Sequence, residues 1–556
     1  MKKIKEYFKY LSKNKYSIIL VFILLSVLPV LSLFHPGLPV THDGQDHVAR
    51  IANFYQNLVD GNLIPRWAAN LNWGYGHPIL EFLYPLPSYI ASFFHFVGFT
   101  LVDSTKIVFI LGTVFSLVFM YMWLSQFSSK YAALFGAVLY TYAPYRFVET
   151  YVRGDIGENL AFASVPLVLF FIYKLYKKNN YKFTLLGGIS LALLILSHNA
   201  ISLMFMPFII LYALFLIYLS KNRKSLIINH LSLIVLGFGL AAFFWFPALL
   251  EGKYTLRNIV TKGGYITNFV SFKNLIYGPW NYGITGEFTV QFGPFQWLAI
   301  LFSPFTILKF KKIKEKYMLS VLLLLYTLVS IFLMFPISDF IWSKIIILQN
   351  FQFPWRFLAI VVFSASVLGT LFIDSISKKT NVRLIVLISI LIIVAISGFY
   401  WKPKAYQIKP ESFYSGIYES TTDTGESAPI WSVRFMEKRP KAHMEVIDGD
   451  AYIKELKRTS TYHKYQLIVN KPTLFEENTL YFPGWEIKAN GVPLNLEFQN
   501  MNYKGVMLFH LLKGDYIVEV LYKETKLRLI SDIISLITIV FIVGFTVLKF
   551  TKYKSN

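Results

Sequence analysis

Apolar residues run through this chain in long blocks, close to the roughly 20 residues that carry an α-helix across a bilayer. They cover 17–34, 79–99, 106–126, 159–176, 183–199, 200–220, 226–250, 294–309, 317–335, 355–374, 383–400 and 527–548. A further piece, 131–143, is too short to cross. Beyond residue 400 the period changes. YQLIV, TLYF, WEIKA, GVMLFHL and DYIVEVLY have the alternation of half-buried strands, and Asn490-Gly491 marks a tight hairpin. The pattern predicts a polytopic α-helical membrane protein of about 12 spans plus a re-entrant or half-helix. It is expected to carry a C-terminal extracytoplasmic β-sandwich-like domain. The expected layout is a transmembrane module over 1–400, a β-rich domain over 401–524, and a final helix with a basic tail over 525–556.

Charge placement orients this layout. Residues 1–16, 174–182, 221–224, 309–316, 378–383 and 549–554 hold 24 Lys and Arg against two acids, Glu6 and Glu315. That excess is nearly the whole net charge of +23, so little is left for nucleic acid, which is not expected as a partner. Basic residues in short loops between apolar blocks mark the cytoplasmic face. Both termini are therefore expected inside a prokaryotic cytoplasmic membrane. Parity between the basic N-terminus and 174–182 requires that 131–143 not cross, and it places 35–78, 144–158, 251–293, 336–354 and 401–524 outside. The segment 401–524 holds 16 basic and 16 acidic residues, as a water-exposed unit would. A signal peptide is the rival for residues 1–34, but the block ends in HPGLP without a small-residue cleavage site. Cysteine is absent, which excludes disulfides, thiolate metal sites and cysteine catalysis.

Against this apolar background two charged clusters stand out on the outer side. If a helix begins within THDGQDHVAR (41–50), then Asp43, Asp46, His47 and Arg50 share one face, at i, i+3, i+4 and i+7. The bland alternative is a solvated interfacial helix. The second cluster is Arg146, Glu149, Arg153, Asp155 and Glu158, where a mutual salt-bridge network is the competing explanation. Ionisable groups facing inward at a membrane are costly and tend to be functional. His198-Asn199 interrupts an apolar stretch at the outer end of a span. In QFPWRF, Pro354 suits a helix start and Trp355 an interface, while Arg356 suits a lipid phosphate. Arg66 lies in the first outer loop.

Taken together, THDGQDHVAR, PRW, NWGYGHPIL, APYR, YVRGDIGENLA, LSHN and QFPWRF, spread over 35–360, resemble the C-fold glycosyltransferases. These are integral-membrane enzymes that use polyprenyl-phosphate-linked sugars. The motifs are most similar to a prokaryotic branch labelled by relation to 6-pyruvoyl-tetrahydropterin synthase. YFPGWEIKANG and KGDYIVEVLY resemble the outer β-domain of related bacterial multispan proteins. The resemblance implies an inverting transfer of sugar from a polyprenyl-phosphate donor to an extracytoplasmic glycan, polymer, lipid or protein acceptor. It implies Asp43 as base, with Asp46 and Glu158 as catalytic partners. His47, Arg50, Arg66, Arg153, Asp155, His198, Asn199 and Arg356 would bind substrate. A divalent cation, Mg or Mn, would fall to Asp43, Asp46, His47 and Glu158, although the first motif departs from the DxD of several metal-dependent relatives. The rival classes are a lipid-linked glycan transporter, whose charges would lie near the midplane, and a non-catalytic envelope-assembly scaffold.

Overall fold

The structure, a computed structural model, describes residues 15–283, 287–377 and 381–554. Lys2–Lys13 of the first basic cluster, and Lys378 and Lys379 of the fifth, lie outside the described residues. Among the described residues, eight helices are long and apolar enough to cross a membrane. They are Leu101–Leu124, Ile156–Lys178, Asn199–Leu219, Arg223–Leu240, Lys314–Met334, Pro354–Ile376, Val382–Tyr400 and Lys526–Lys549. Leu20–Phe34 and Tyr181–Ser197 are shorter apolar helices.

Some expected spans are broken, for local reasons. The block 79–99 forms Ile79–Phe82 and Leu86–Phe96, parted where Leu83 turns extended ahead of Pro85. The block 294–309 forms Pro294–Leu301 and Ser303–Lys309. Pro304 has no N–H to continue the first ladder across Phe302. Apolar continuity carries no mark of such breaks. Lys130–Thr141, in contrast, is one 12-residue helix. At about 18 Å it is short of the ~30 Å hydrocarbon core, as its length predicted.

The chain divides into two compact units that cut across the linear layout. The first joins Met1–Gly44, Lys106–Ile234 and Tyr265–Ile408; the second joins Gln45–Thr105, Val235–Gly264 and Lys409–Asn556. In the first unit, Ile156–Lys178 and Pro354–Ile376 are central, each with 89% of its apolar window buried. Ile156–Lys178 packs on Tyr181–Ser197 and Asn199–Leu219, and Leu358–Ile376 packs on Lys130–Thr141, Pro294–Leu301 and Lys314–Met334. A two-residue ladder, Leu38–Pro39 against Tyr406–Gln407, ties the loop after the first helix to the end of this unit.

The second unit holds the β-domain as one six-stranded antiparallel sheet, where two stacked layers were expected. Tyr462–Leu480 is long enough to serve several partners. It pairs with Met444–Arg458, with Gly514–Tyr522 along its first half, and with Val506–Leu511 along its second. Tyr465, Leu467 and Val469 are buried, and Gln466, Ile468 and Asn470 are exposed, the alternation the sequence predicted. Asn490 and Gly491 both take positive φ, 47° and 82°, closing Trp485–Ala489 onto Val492–Pro493.

Candidate active site

The second charged motif is shaped by an unusual turn. Val148–Arg153 is a π-helix, closed by Gly154 in the left-handed region at φ 72°. Asp155 then caps the central helix Ile156–Lys178, its Oδ1 accepting the Glu158 amide at 2.8 Å. In an Asp-x-x-Glu capping box the glutamate would reach back to the cap. Here Glu158 instead accepts Tyr145 Oη at 2.7 Å on Oε1 and Arg153 Nη1 at 2.9 Å on Oε2. Arg153 also donates to Glu149 Oε2 (2.5 Å) and Asp155 Oδ2 (3.0 Å), and its guanidinium stacks 4.7 Å over Trp355.

Two further helix starts complete this cage. His198 caps Asn199–Leu219, its Nδ1 accepting the Ile201 amide at 3.2 Å, so Nε2 carries the proton and faces Asp155 Oδ2 at 3.5 Å. Asn199 follows as the first residue of that helix. Arg356, in the Pro354–Phe357 turn that leads into the other central helix, donates to the Phe351 carbonyl (2.9 Å). It lies 3.4 Å from Glu158 and 3.9 Å from Asp155. Burial alone would raise the Asp155 carboxyl; His198, Arg153 and Arg356 outweigh it and hold that carboxyl well below the usual carboxylate range. Glu149, Asp155 and Glu158 thus face two guanidiniums in a cage almost closed to solvent.

The first motif is laid on this cage by its backbone. The His42 amide donates to the Val152 carbonyl (2.9 Å) and the Asp43 amide to the Arg153 carbonyl (2.8 Å). Gly154 makes the approach possible, because a Cβ there would lie 2.2 Å from Thr41 Oγ1. Asp43 is partly exposed, whereas Glu158 is fully buried. The structure thus brings Asp43, Arg153, Asp155, Glu158, His198 and Arg356 together in the first unit.

The shared helical face does not include Asp43. The helix starts at Gly44, one residue too late. Nor is that helix a solvated interfacial one, since Val48, Ala49, Ile51, Ala52 and Phe54 are buried together with His47 and Arg50. Within the second unit Asp46 accepts Tyr418 Oη at 2.9 Å. Arg50 donates to Thr422 Oγ1 (3.0 Å), to the Thr422 carbonyl (2.5 Å) and to His47 Nδ1 (3.2 Å). Burial lifts the Asp46 carboxyl above its ordinary range, against the pull of Arg50 and Tyr418. Arg66 is spent on Glu524 (3.0 Å), Asp532 (2.7 Å) and the Phe243 carbonyl (3.1 Å). The same unit buries Arg528 against Glu251 (2.6 Å) and Glu81 (2.9 Å).

Glu149 was in the sequence-derived cluster but was given no role, although its i,i+4 spacing to Arg153 marks the pair. Tyr145 was absent from that cluster, and no spacing rule links it to Glu158.

Among the described residues, the side chains with metal-ligand spacing are Asp155, Glu158 and His198, whose ligand atoms lie within 4.8 Å of one another. They overlap the expected metal set only at Glu158. As arranged they do not fit a cation. Both carboxylates accept from Arg153, each has its other oxygen bonded to Glu158 N or Tyr145 Oη, and His198 presents N–H instead of a lone pair.

A multispan bundle with an ionic cage at the start of its two central helices, followed by a β-sheet domain, defines an integral-membrane protein. The chain belongs to the membrane-protein family of the 6-pyruvoyl-tetrahydropterin synthase related domain, matched over residues 80–403. An uncharacterized protein of Lactococcus lactis subsp. cremoris (strain MG1363) is 29% identical over 369 residues, 63% of this chain and 56% of that one. The chain thus spans little more than half the length of this relative. Its fold is similar to that of arabinofuranosyltransferase AftD from Mycobacteria, with a TM-score of 0.50 and 12% identity over 72% of this chain and 28% of that one.

Proposed function

We propose that the protein is a membrane glycosyltransferase that moves a sugar from a polyprenyl-phosphate donor to an extracytoplasmic acceptor. The observation that carries this reading is the seating of Asp43, a partly exposed carboxylate hung by its amide on the buried Arg153 cage. Glu158 and Asp155 are buried within the cage, and Asp43, the partly exposed carboxylate beside them, is the one to meet an acceptor hydroxyl. In the proposed step Asp43 takes the hydroxyl proton as the acceptor oxygen bonds to the sugar's C1. The C1–O bond to phosphate breaks with inversion, and the electron pair leaves on polyprenyl phosphate. Arg356, held at 3.4 Å and 3.9 Å by its carboxylates, is the looser guanidinium and turns to the departing phosphate. No divalent cation is needed, since the two arginines already supply positive charge.

In this reading the β-domain lies outside and both termini inside. Cysteine placed at 450 in the otherwise cysteine-free chain should react with an impermeant maleimide in intact cells; labelling only after permeabilisation would reverse the orientation. The reaction is tested with purified protein and radiolabelled short-chain polyprenyl-phosphate pentoses and hexoses, with envelope extract as acceptor. Asp43→Asn should lower release of polyprenyl phosphate by roughly 10²-fold or more. Equal turnover by wild type and Asp43→Asn would refute the base. If the wild type turns over no donor in the panel, the scaffold and transporter readings take the lead.

A further inference from the structure

At the far end of Asn199–Leu219 from His198, the chain turns through Ser220–Asn222 into Arg223–Leu240. An open cavity of about 800 Å³ lies there, lined by Tyr218, Lys221, Arg223, Lys224 and Lys314, among others. Its cations come from two segments about ninety residues apart, and no carboxylate lines it. The basic residues beside it are neutralised: Lys177 pairs with Glu315 at 3.2 Å and Lys316 with Asp374 at 2.5 Å. Among the described residues, Lys221, Arg223, Lys224 and Lys314 pair with no acid. Lys314 instead donates to Tyr218 Oη (3.0 Å) and Arg223 to the Tyr218 carbonyl (3.1 Å). Both cations also lie over the Tyr218 ring, Arg223 at 5.6 Å and Lys314 at 4.4 Å from its centroid. A smaller cavity of about 400 Å³ shares Leu219–Asn222 and adds the apolar side chains Leu175 and Leu226.

We infer that this pocket binds the phosphate of an anionic phospholipid headgroup. Positive charge in excess of nearby acid, in a pocket at helix ends, is the arrangement that recognises such groups. A free phosphate has the same chemistry, and the surroundings favour the lipid. Leu211 and Leu214 on one helix, and Ile228 and Leu231 on the other, are exposed apolar side chains that lead away from the pocket. Acyl chains can lie along them while the phosphate sits among the cations. The site is independent of the transferase reading, because it lies at the opposite end of the helix that His198 caps.

The test is native mass spectrometry of the full-length protein in neutral detergent, titrated with phosphatidylglycerol, with phosphatidylcholine, or with millimolar inorganic phosphate. Lys221→Gln/Arg223→Gln/Lys314→Gln is compared with Lys309→Gln/Lys311→Gln/Lys312→Gln, which removes equal charge outside the pocket. Melting curves check that both variants stay folded. Wild type should retain phosphatidylglycerol in preference to phosphatidylcholine. The pocket variant should bind it more weakly by on the order of 10²-fold, and the control variant should keep wild-type affinity. Equal loss in both variants, no preference between the lipids, or inorganic phosphate binding as tightly as phosphatidylglycerol would each overturn the inference.

Discussion

Gly154→Ala should separate the two acidic motifs without touching a charge. At φ 72° an alanine pays about 1–2 kcal/mol for left-handed backbone. Its Cβ would also stand 2.2 Å from Thr41 Oγ1, 2.9 Å from Thr41 Cβ and 3.2 Å from the Gly44 amide nitrogen. The Thr41–Gly44 loop must then retreat, which breaks the His42-to-Val152 and Asp43-to-Arg153 hydrogen bonds, each worth about 1 kcal/mol. The expected loss is about 3–4 kcal/mol, large for one methyl group. Denaturant melts of purified protein in detergent measure it. Gly154→Asn separates the two causes, since asparagine tolerates the left-handed region but carries the same Cβ. Thr41→Ala removes the nearest atom, so Thr41→Ala/Gly154→Ala should cost less than the sum of the single changes. The reasoning fails if Gly154→Ala stays within about 0.5 kcal/mol of wild type, or if the two changes simply add.

Three further outcomes are expected. The folded Asp46 carboxyl titrates above its unfolded value near ~3.9. Its contribution to stability is therefore whole below that value and is lost as pH rises through the folded pKa. Wild type should lose ground to Asp46→Asn between pH 4 and pH 8 in parallel melts; a variant that becomes relatively weaker as pH rises contradicts this. Arg528→Met leaves Glu81 and Glu251 buried without their cation and should cost about 3–5 kcal/mol, and restoring stability with the added change Glu251→Gln would confirm the cause. Transfer by purified protein should survive EDTA within about twofold, because Arg153 and Arg356 already occupy the Asp155 and Glu158 carboxylates; loss of activity rescued by Mg or Mn would overturn the metal-free reading.

The meeting of the two acidic motifs was legible because clustered charge is scarce in so apolar a chain. The strand pattern and the Asn490-Gly491 hairpin were legible because alternation and turn chemistry are local. Other features depended on information that no local pattern carries. Asp43 and Asp46 looked like one helical face, but a helix that starts at Gly44 leaves Asp43 to its backbone partners and gives Asp46 to Tyr418, 372 residues away. Arg66 looked like a phosphate ligand from its position in an outer loop. Its partners Glu524 and Asp532 lie more than 450 residues downstream, beyond any spacing argument. The unbroken apolar block 294–309 could not announce the bend at Phe302, since membrane helices tolerate proline and hydropathy averages across it.

The wide turn at Val148–Arg153 makes the cage a matter of counting as well as of chemistry. A π-turn holds one residue more than an α-turn would, and one residue is about 100° of helical rotation. Deleting Thr150 or Tyr151 while the wide turn persists would keep every charged side chain yet swing Arg153 and Asp155 about a quarter-turn away from His198 and Arg356. Any chain aligned to this one should therefore be judged first by the number of residues between Pro144 and Asp155. With that length changed by one, the same letters would be written on the wrong side of the helix.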